Sequence, residues 1–474
     1  MVDNQNPSQS KETINKVPLM IVLMSGAFAA ILNQTLLATA LPHIMRDLNL
    51  DANVVQWLQS IFMLVNGIMI PITAFLIERF TTRRLFLAAM GLFGLGTLVC
   101  ALSPNFALLM VGRILQGFGA GIIMPLMQTI LFLIFPVEKR GAAMGMFGLV
   151  IAFAPAIGPT LSGWLVDRFP WRSLFYVILP IVIIDIIVAY FILINVTEQK
   201  YRKVDILSIV LSTLGFGGLL YGFSTAGSSG WSSGQVIISM IIGAITLLWF
   251  IFRQLKLEQP ILQFRVFKNK VFTITTILGM VVFIAMIGGA VILPLLMQNM
   301  LGFTAFESGL MLLPGAVVMG VVSPIAGRLF DKFGVRWLSI IGFSLLVITT
   351  FMFTNLTEQT TFTYLAVVNS VRLFGVSMVL MPVTTAGLNQ LPAHLIPHGT
   401  AMNNTMRQVA GAVGTALLVT VMTNNALPKQ GVKGLIHGVN VSFTVAGIAA
   451  IIGLVLAFFI KSKRTEEKEQ LLGT

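Results

Sequence analysis

Pro71-Ile-Thr-Ala-Phe-Leu-Ile-Glu78-Arg79-Phe80 and Pro324-Ile-Ala-Gly-Arg-Leu-Phe-Asp331-Lys332-Phe333 close two apolar segments that lie 253 residues apart. Proline, acid, base and aromatic ring stand at the same spacing in both. Two further echoes follow in the same order. Ile123-Met-Pro125 matches Leu380-Met-Pro382, and Gly141-Ala-Ala-Met144 matches Gly399-Thr-Ala-Met402, 258 residues on. A shared apolar composition explains apolar runs, but not acid–base pairs in matched register. The chain therefore reads as two duplicated halves related in parallel, an arrangement that places a path at their interface.

Composition sets the solvent. Apolar residues make up 56% of 474 positions, charged residues 10%, and mean hydropathy is +0.92. Soluble domains carry about 25% charged residues, so this chain cannot cover an aqueous surface. It is an all-α polytopic membrane protein, because only helices or closed barrels satisfy their backbone in lipid. A crossing helix needs about 20 apolar residues. Fourteen such spans are expected near 17–42, 54–77, 85–103, 106–135, 140–166, 172–195, 205–226, 235–255, 271–299, 305–327, 337–354, 362–390, 399–425 and 437–460. The first is too long for a cleaved signal and reads as a retained helix. The implied division is a six-helix bundle over 1–200, two inserted helices over 201–260, a second six-helix bundle over 261–460, and a tail over 461–474. The single cysteine, Cys100, excludes a disulfide within the chain.

Charge placement gives an orientation. With the N-terminus inside, 22 of the 30 lysines and arginines fall at cytoplasmic ends and five at outer ends, which fits the positive-inside rule. Both termini are then cytoplasmic, and the +13 net charge is a topology signal rather than a sign of nucleic-acid binding. The other three, Arg113, Arg372 and Arg407, stand within spans.

On these residues the sequence resembles the major facilitator superfamily, in its fourteen-span drug:proton antiporter branch (EmrB/QacA-type, with lincomycin-efflux-like members). The family's loop motif G-x-L-x-D-R-x-G-R-R is matched well from Gly327 through Asp331, Lys332 and Gly334 to Arg336. The first copy, Glu78, Arg79 and Arg83, has lost both glycines and carries Glu for Asp. The resemblance implies a conformational latch: the acid pairs with arginines across the half interface and caps a neighbouring helix N-terminus. Arg113-Ile-Leu-Gln116-Gly117 resembles the family's R-x-x-Q-G motif and implies a role in proton movement, with the arginine tuning a nearby acid. Pro155, Gly158, Pro159 and Gly163 resemble its antiporter motif, a seam of small residues and bends.

Charges inside a membrane are expensive and functional by default. Asp185, mid-span in the sixth segment, fits either a proton carrier or a hydrogen-bonded structural acid. Glu307, at the outer end of a span, is a second candidate for proton coupling, with a solvated helix-terminal charge as the alternative. Relatives often carry an acid in the first span where this chain has Asn33. That loss argues against a dedicated quaternary-cation exporter and favours neutral or zwitterionic amphiphiles. Asn33, Gln34, Asn66, Met124, Gln128, Gln298, Asn369 and Arg407 are expected to line the substrate path, and 25 methionines suit an adaptable surface. His394 and His398 read as a loop pair without a third metal ligand. No Walker loop, cofactor motif or catalytic cluster is present in the sequence. The reading is a proton-coupled exporter of small amphipathic compounds, monomeric, in a bacterial cytoplasmic membrane. The alternative is an exporter or flippase of an endogenous lipid or metabolite.

Overall fold

The computed structural model describes residues 16–201 and 204–460; the tail expected over 461–474 lies outside them. Among the described residues fourteen helices are long and apolar enough to cross a membrane. We number them α1 (Lys16–Asp47), α2 (Trp57–Arg79), α3 (Thr82–Leu102), α4 (Phe106–Ile134), α5 (Arg140–Val166), α6 (Ser173–Ile192), α7 (Ile206–Ser229) and α8 (Gly234–Lys256). The second set is α9 (Lys270–Asn299), α10 (Ala305–Phe333), α11 (Val335–Met352), α12 (Phe362–Asn389), α13 (Ile396–Asn424) and α14 (Gly431–Phe458). At 1.5 Å per residue each is long enough to span the hydrocarbon core.

Many starts are set by short polar side chains that bond the exposed amides of the first turn. Thr81, Asn105, Asp205, Asn269, Thr304 and Thr361 all accept a backbone N–H three residues on. Several ends differ from the expected ones. Helix α1 passes through Pro42 to Asp47. Proline costs it one backbone bond, and Asp47 is tied down by Trp171 Nε1 (2.9 Å) and Arg172 Nη1 (3.1 Å). Helix α13 starts at Ile396 rather than 399, with Pro397 in the first turn, where a missing amide is harmless.

The duplication is visible in the packing. In the first bundle α3 packs on α4, α2 on α4, α1 on α5 and α6, and α3 on α6. Each pairing recurs eight helices later: α11 on α12, α10 on α12, α9 on α13 and α14, and α11 on α14. The halves meet through two equivalent seams, α5 on α10 and α2 on α13. The inserted pair α7–α8 lies beside the second seam, with α7 touching both α2 and α13. Trp57 stacks on Tyr221, and Trp231 donates to Thr420 at 2.7 Å. Helix α8 turns isoleucines 237, 238, 241, 242 and 245 outward, as a lipid-facing helix does.

Candidate functional site

The two loop-motif acids sit at one end of the molecule, and each reaches into the other half. Asp331, at the end of α10, accepts the backbone N–H groups of Gly141 (2.8 Å) and Ala142 (2.9 Å) at the start of α5. A carboxylate there meets amides that have no partner within the helix and the positive end of its dipole. Glu78, at the end of α2, faces the start of α13, where it meets His398 Nε2 at 3.2 Å. The Gln263 amide donates to His398 Nδ1 at 3.3 Å, so the ring proton stands on Nε2 and points at Glu78. The bases of the motif stack in their own half: Arg79 over Phe75 and Phe80, Arg83 over Tyr190, Lys332 over Phe333. Arg336 leaves its buried Nε without a partner.

His398 is a correction to the sequence reading. It is not in a loop but buried in the first turn of α13, facing Glu78. Its neighbour Gly399 echoes Gly141, and that repeat was the signal available. His394 lines a cavity of about 340 Å³ with Glu78, Thr197, Glu198, Lys200 and Pro397.

Glycines let the halves close at this end. A side chain at Gly145 would lie 2.6 Å from the Ser323 carbonyl, and one at Gly141 or Gly327 would collide with the facing backbone. Polar bridges add to this closure: Asn404 Nδ2 to Gln128 Oε1 (2.7 Å), Thr129 with Thr400 (2.8 Å) and Arg140 Nη1 to Asn389 Oδ1 (3.0 Å). Of the antiporter motif, Gly158 fits tightly against Thr35 of α1, whose hydroxyl bonds the Ala154 carbonyl at 3.4 Å. Pro155 and Pro159 stand inside the same helix. Gly163 differs from expectation: nothing lies near its α-carbon face, so it is not part of the seam.

Arg113 is fully buried on α4. Its Nε donates to the Leu58 carbonyl (2.9 Å), Nη1 donates to Gln116 Oε1 (2.7 Å), and its plane covers Phe62 at 4.4 Å. Gln116 passes the network on to Thr97 (2.9 Å) and Asn33 (3.4 Å). Among the described residues no carboxylate stands within ion-pair distance of Arg113, so the acid it was expected to tune is not beside it. Asn33 instead supplies an amide oxygen, as a neutral residue must.

Asp185 lies in the first bundle, between α6 and α1, where Ser25 Oγ donates to Oδ1 and Oδ2 has no partner. Phe86 and Met90 of α3 wall the same pocket. Glu307 takes the bland role: its Oε2 accepts the Thr304 amide (2.7 Å) while Thr304 Oγ1 accepts the Glu307 amide (3.2 Å), a reciprocal helix cap. The expected path residues divide. Gln128 joins the halves, Asn33 joins the Arg113 network, and Gln34, Asn66 and Met124 are half-buried. Gln298 is exposed near the end of α9, and Asn369 packs against Gly315 of α10.

Arg407 is buried over Phe283 of α9 at 5.1 Å. Arg372, which the motifs did not single out, is buried on α12 with Nη2 donating to the Ala285 carbonyl of α9. The signal available for it was the charge itself, standing in an apolar span.

The family model described as Major Facilitator Superfamily matches residues 23–415. The chain is 57% identical over 468 residues to the MFS-type transporter YcnB of Bacillus subtilis, covering 98% of this chain and 99% of that protein. It is 42% identical over 470 residues to the lincomycin resistance protein LmrB of Listeria monocytogenes, covering 97% of this chain and all of the other. The crystal structure of the human organic anion transporter MFSD10 shares the fold, with a TM-score of 0.69 at 13% identity over 94% of this chain and 99% of that one. Duplicated bundles, mirrored seams and a matched family model agree: the chain belongs to the major facilitator superfamily and is a multi-pass membrane transporter, not an enzyme.

Proposed function

We propose that the protein exports amphipathic drugs across a bacterial cytoplasmic membrane by alternating access, driven by inward proton movement. The observation that carries alternating access is the mirrored gate, Asp331 on the α5 start and Glu78 on the α13 start. Polar contacts that join the halves at this end are ones that a rocking cycle can make and break. The 42% identity to a lincomycin resistance protein over nearly the whole chain supports a drug-like cargo. The positive-inside count supports a cytoplasmic gate end, and on that orientation this conformation is the one closed toward the cytoplasm. The bundles at 1–200 and 261–460 are the moving bodies, 201–260 is an insertion between them, and the unit is a monomer.

Asp185 is our assignment for the proton carrier. It is the mid-span acid among the described residues, with one hydroxyl donor and one bare oxygen. Arg113 stays a cation through the cycle and positions Gln116 and Asn33; Glu307 serves as a cap. The experiment is drug-evoked proton release from inverted vesicles. Asp185→Asn should abolish coupling by at least about tenfold while drug binding persists, a loss confined to the coupled step. Normal coupling in that variant would remove Asp185 from the mechanism. No proton movement in the unaltered protein would overturn the antiport reading itself.

A further inference from the structure

Two buried arginines in the second half have no charge to balance them. Arg372 is 1% exposed and Arg407 5%, and among the described residues neither forms an ion pair. The buried acids are engaged elsewhere: Asp185 with Ser25 inside the first bundle, Glu78 with His398 at the gate. Both guanidiniums also keep an unbonded donor, Nε of Arg372 and Nη1 of Arg407. A buried donor without an acceptor is costly, and for a cation more so.

These arginines share a depth. Arg372 bonds the Ala285 carbonyl and Arg407 covers Phe283. On one helix those two positions differ by about 3 Å of rise. The niche for Arg372 is built: Gly289 lies under the guanidinium, where any side chain would collide with it. Arg407 stands beside the half interface, because its helix neighbours Asn404 and Gln408 touch Gln128 of α4 and Gly67 of α2. Polar side chains nearby are also left unsatisfied, Asn369 Nδ2 and Gln128 Nε2 as donors and Asn403 Oδ1, one turn from Arg407, as an acceptor, none of them charged.

We propose that the transported compound carries an anionic group, and that Arg372 and Arg407 receive it when the halves separate. This rests on the export reading and narrows its cargo to amphiphiles with a carboxylate, sulfonate or phosphate, including zwitterions. Opening replaces two uncompensated donors with a charged acceptor, so the empty carrier is the less satisfied form. Arginine suits the task because its planar fork binds such groups with two parallel hydrogen bonds.

The test uses the full chain in lipid nanodiscs and a matched pair of probes. 1-Anilinonaphthalene-8-sulfonate carries a sulfonate, and N-phenyl-1-naphthylamine is the same ring system without it. The unaltered protein should bind the sulfonate at least about tenfold tighter. Arg372→Gln and Arg407→Gln should each remove about tenfold of that preference and change the uncharged probe less than about twofold. Arg407→Lys should restore part of it. Equal binding of both probes, no binding of the sulfonate, or variants that lose both probes alike would overturn the proposal. Vesicle transport of the same probes separates it from the export reading. Export of the uncharged probe with indifference to the anion would sink only the anion site. Arginine-dependent anion binding without transport would sink only export.

Discussion

At the residue scale the proposed gate rests on two acids with unlike partners. Asp331 caps backbone amides, whereas Glu78 meets an imidazole whose other nitrogen is held by Gln263. Asp331→Asn keeps the shape but removes the charge at a helix N-terminus, an effect of about 0.3–1 kcal/mol. His398→Ala withdraws a buried hydrogen-bond partner, roughly 1–3 kcal/mol. Both changes weaken only the sealed conformation, so they shift the population toward the open one. We expect severalfold faster labelling of a cysteine placed at Met381, which is buried beside Gly148, in a Cys100→Ala background, together with slower turnover. Unchanged labelling in both variants would show that these contacts do not hold the gate.

At the element scale closure depends on how near α5 comes to α10. Gly141, Gly145 and Gly327 permit backbone contact that no larger residue allows. Gly327→Val should leave the bundles folded yet prevent sealing, with about tenfold or greater loss of transport and fast labelling at Met381. Full activity would mean that α10 yields without cost. The inserted pair is fixed at its own end by Asp205, which caps α7 and accepts Arg253 Nε (3.0 Å) and Nη2 (3.1 Å) from α8. Partial burial would raise the Asp205 pKa, but the bonds from Arg253 and Ser208 outweigh it and hold the carboxyl below its usual value. A depressed carboxyl contributes stability above its unfolded pKa and loses it as pH falls through the folded value. Hydrogen-exchange protection of α7–α8 should therefore be flat from about pH 8 to 5 and fall below about pH 4. Asp205→Asn should remove that step. Protection that changes between pH 5 and 8 would contradict it.

At the scale of the whole molecule the two seams are equivalent by repeat but not by environment. The α5–α10 seam has no inserted neighbour, while α2–α13 has α7 along it, with Leu220 filling the space over Gly67. The insertion is thus packed against both halves, through α2 and α13, and is more than a spacer. Orientation is a property of the same scale. A reporter at Gly230, between α7 and α8, should read external, and one joined after Ile460 should read cytoplasmic. A cytoplasmic signal at Gly230 would invert the chain and place the gate outside.

Helix number, duplication and membrane residence were legible in the amino-acid sequence because each depends on local composition or on register along one chain. Twenty apolar residues must cross as a helix whatever their neighbours, and an acid–base pair repeated at 253 residues keeps its place in both halves. The two repeated acids were legible for the same reason. Their partners were not. His398 reads as a loop residue until α13 is seen to begin at Ile396 against the end of α2, and Arg113 suggests an acid that the fold does not bring to it. Glu307 is spent on the helix-terminal role that the sequence offered as its alternative, while Gly163, read from a motif, faces open space. Which polar atom meets which is decided by side chains from helices far apart in sequence. Only tertiary packing settles that, because desolvation inside a membrane leaves a polar group that its own helix does not satisfy either a partner found across the bundle or none.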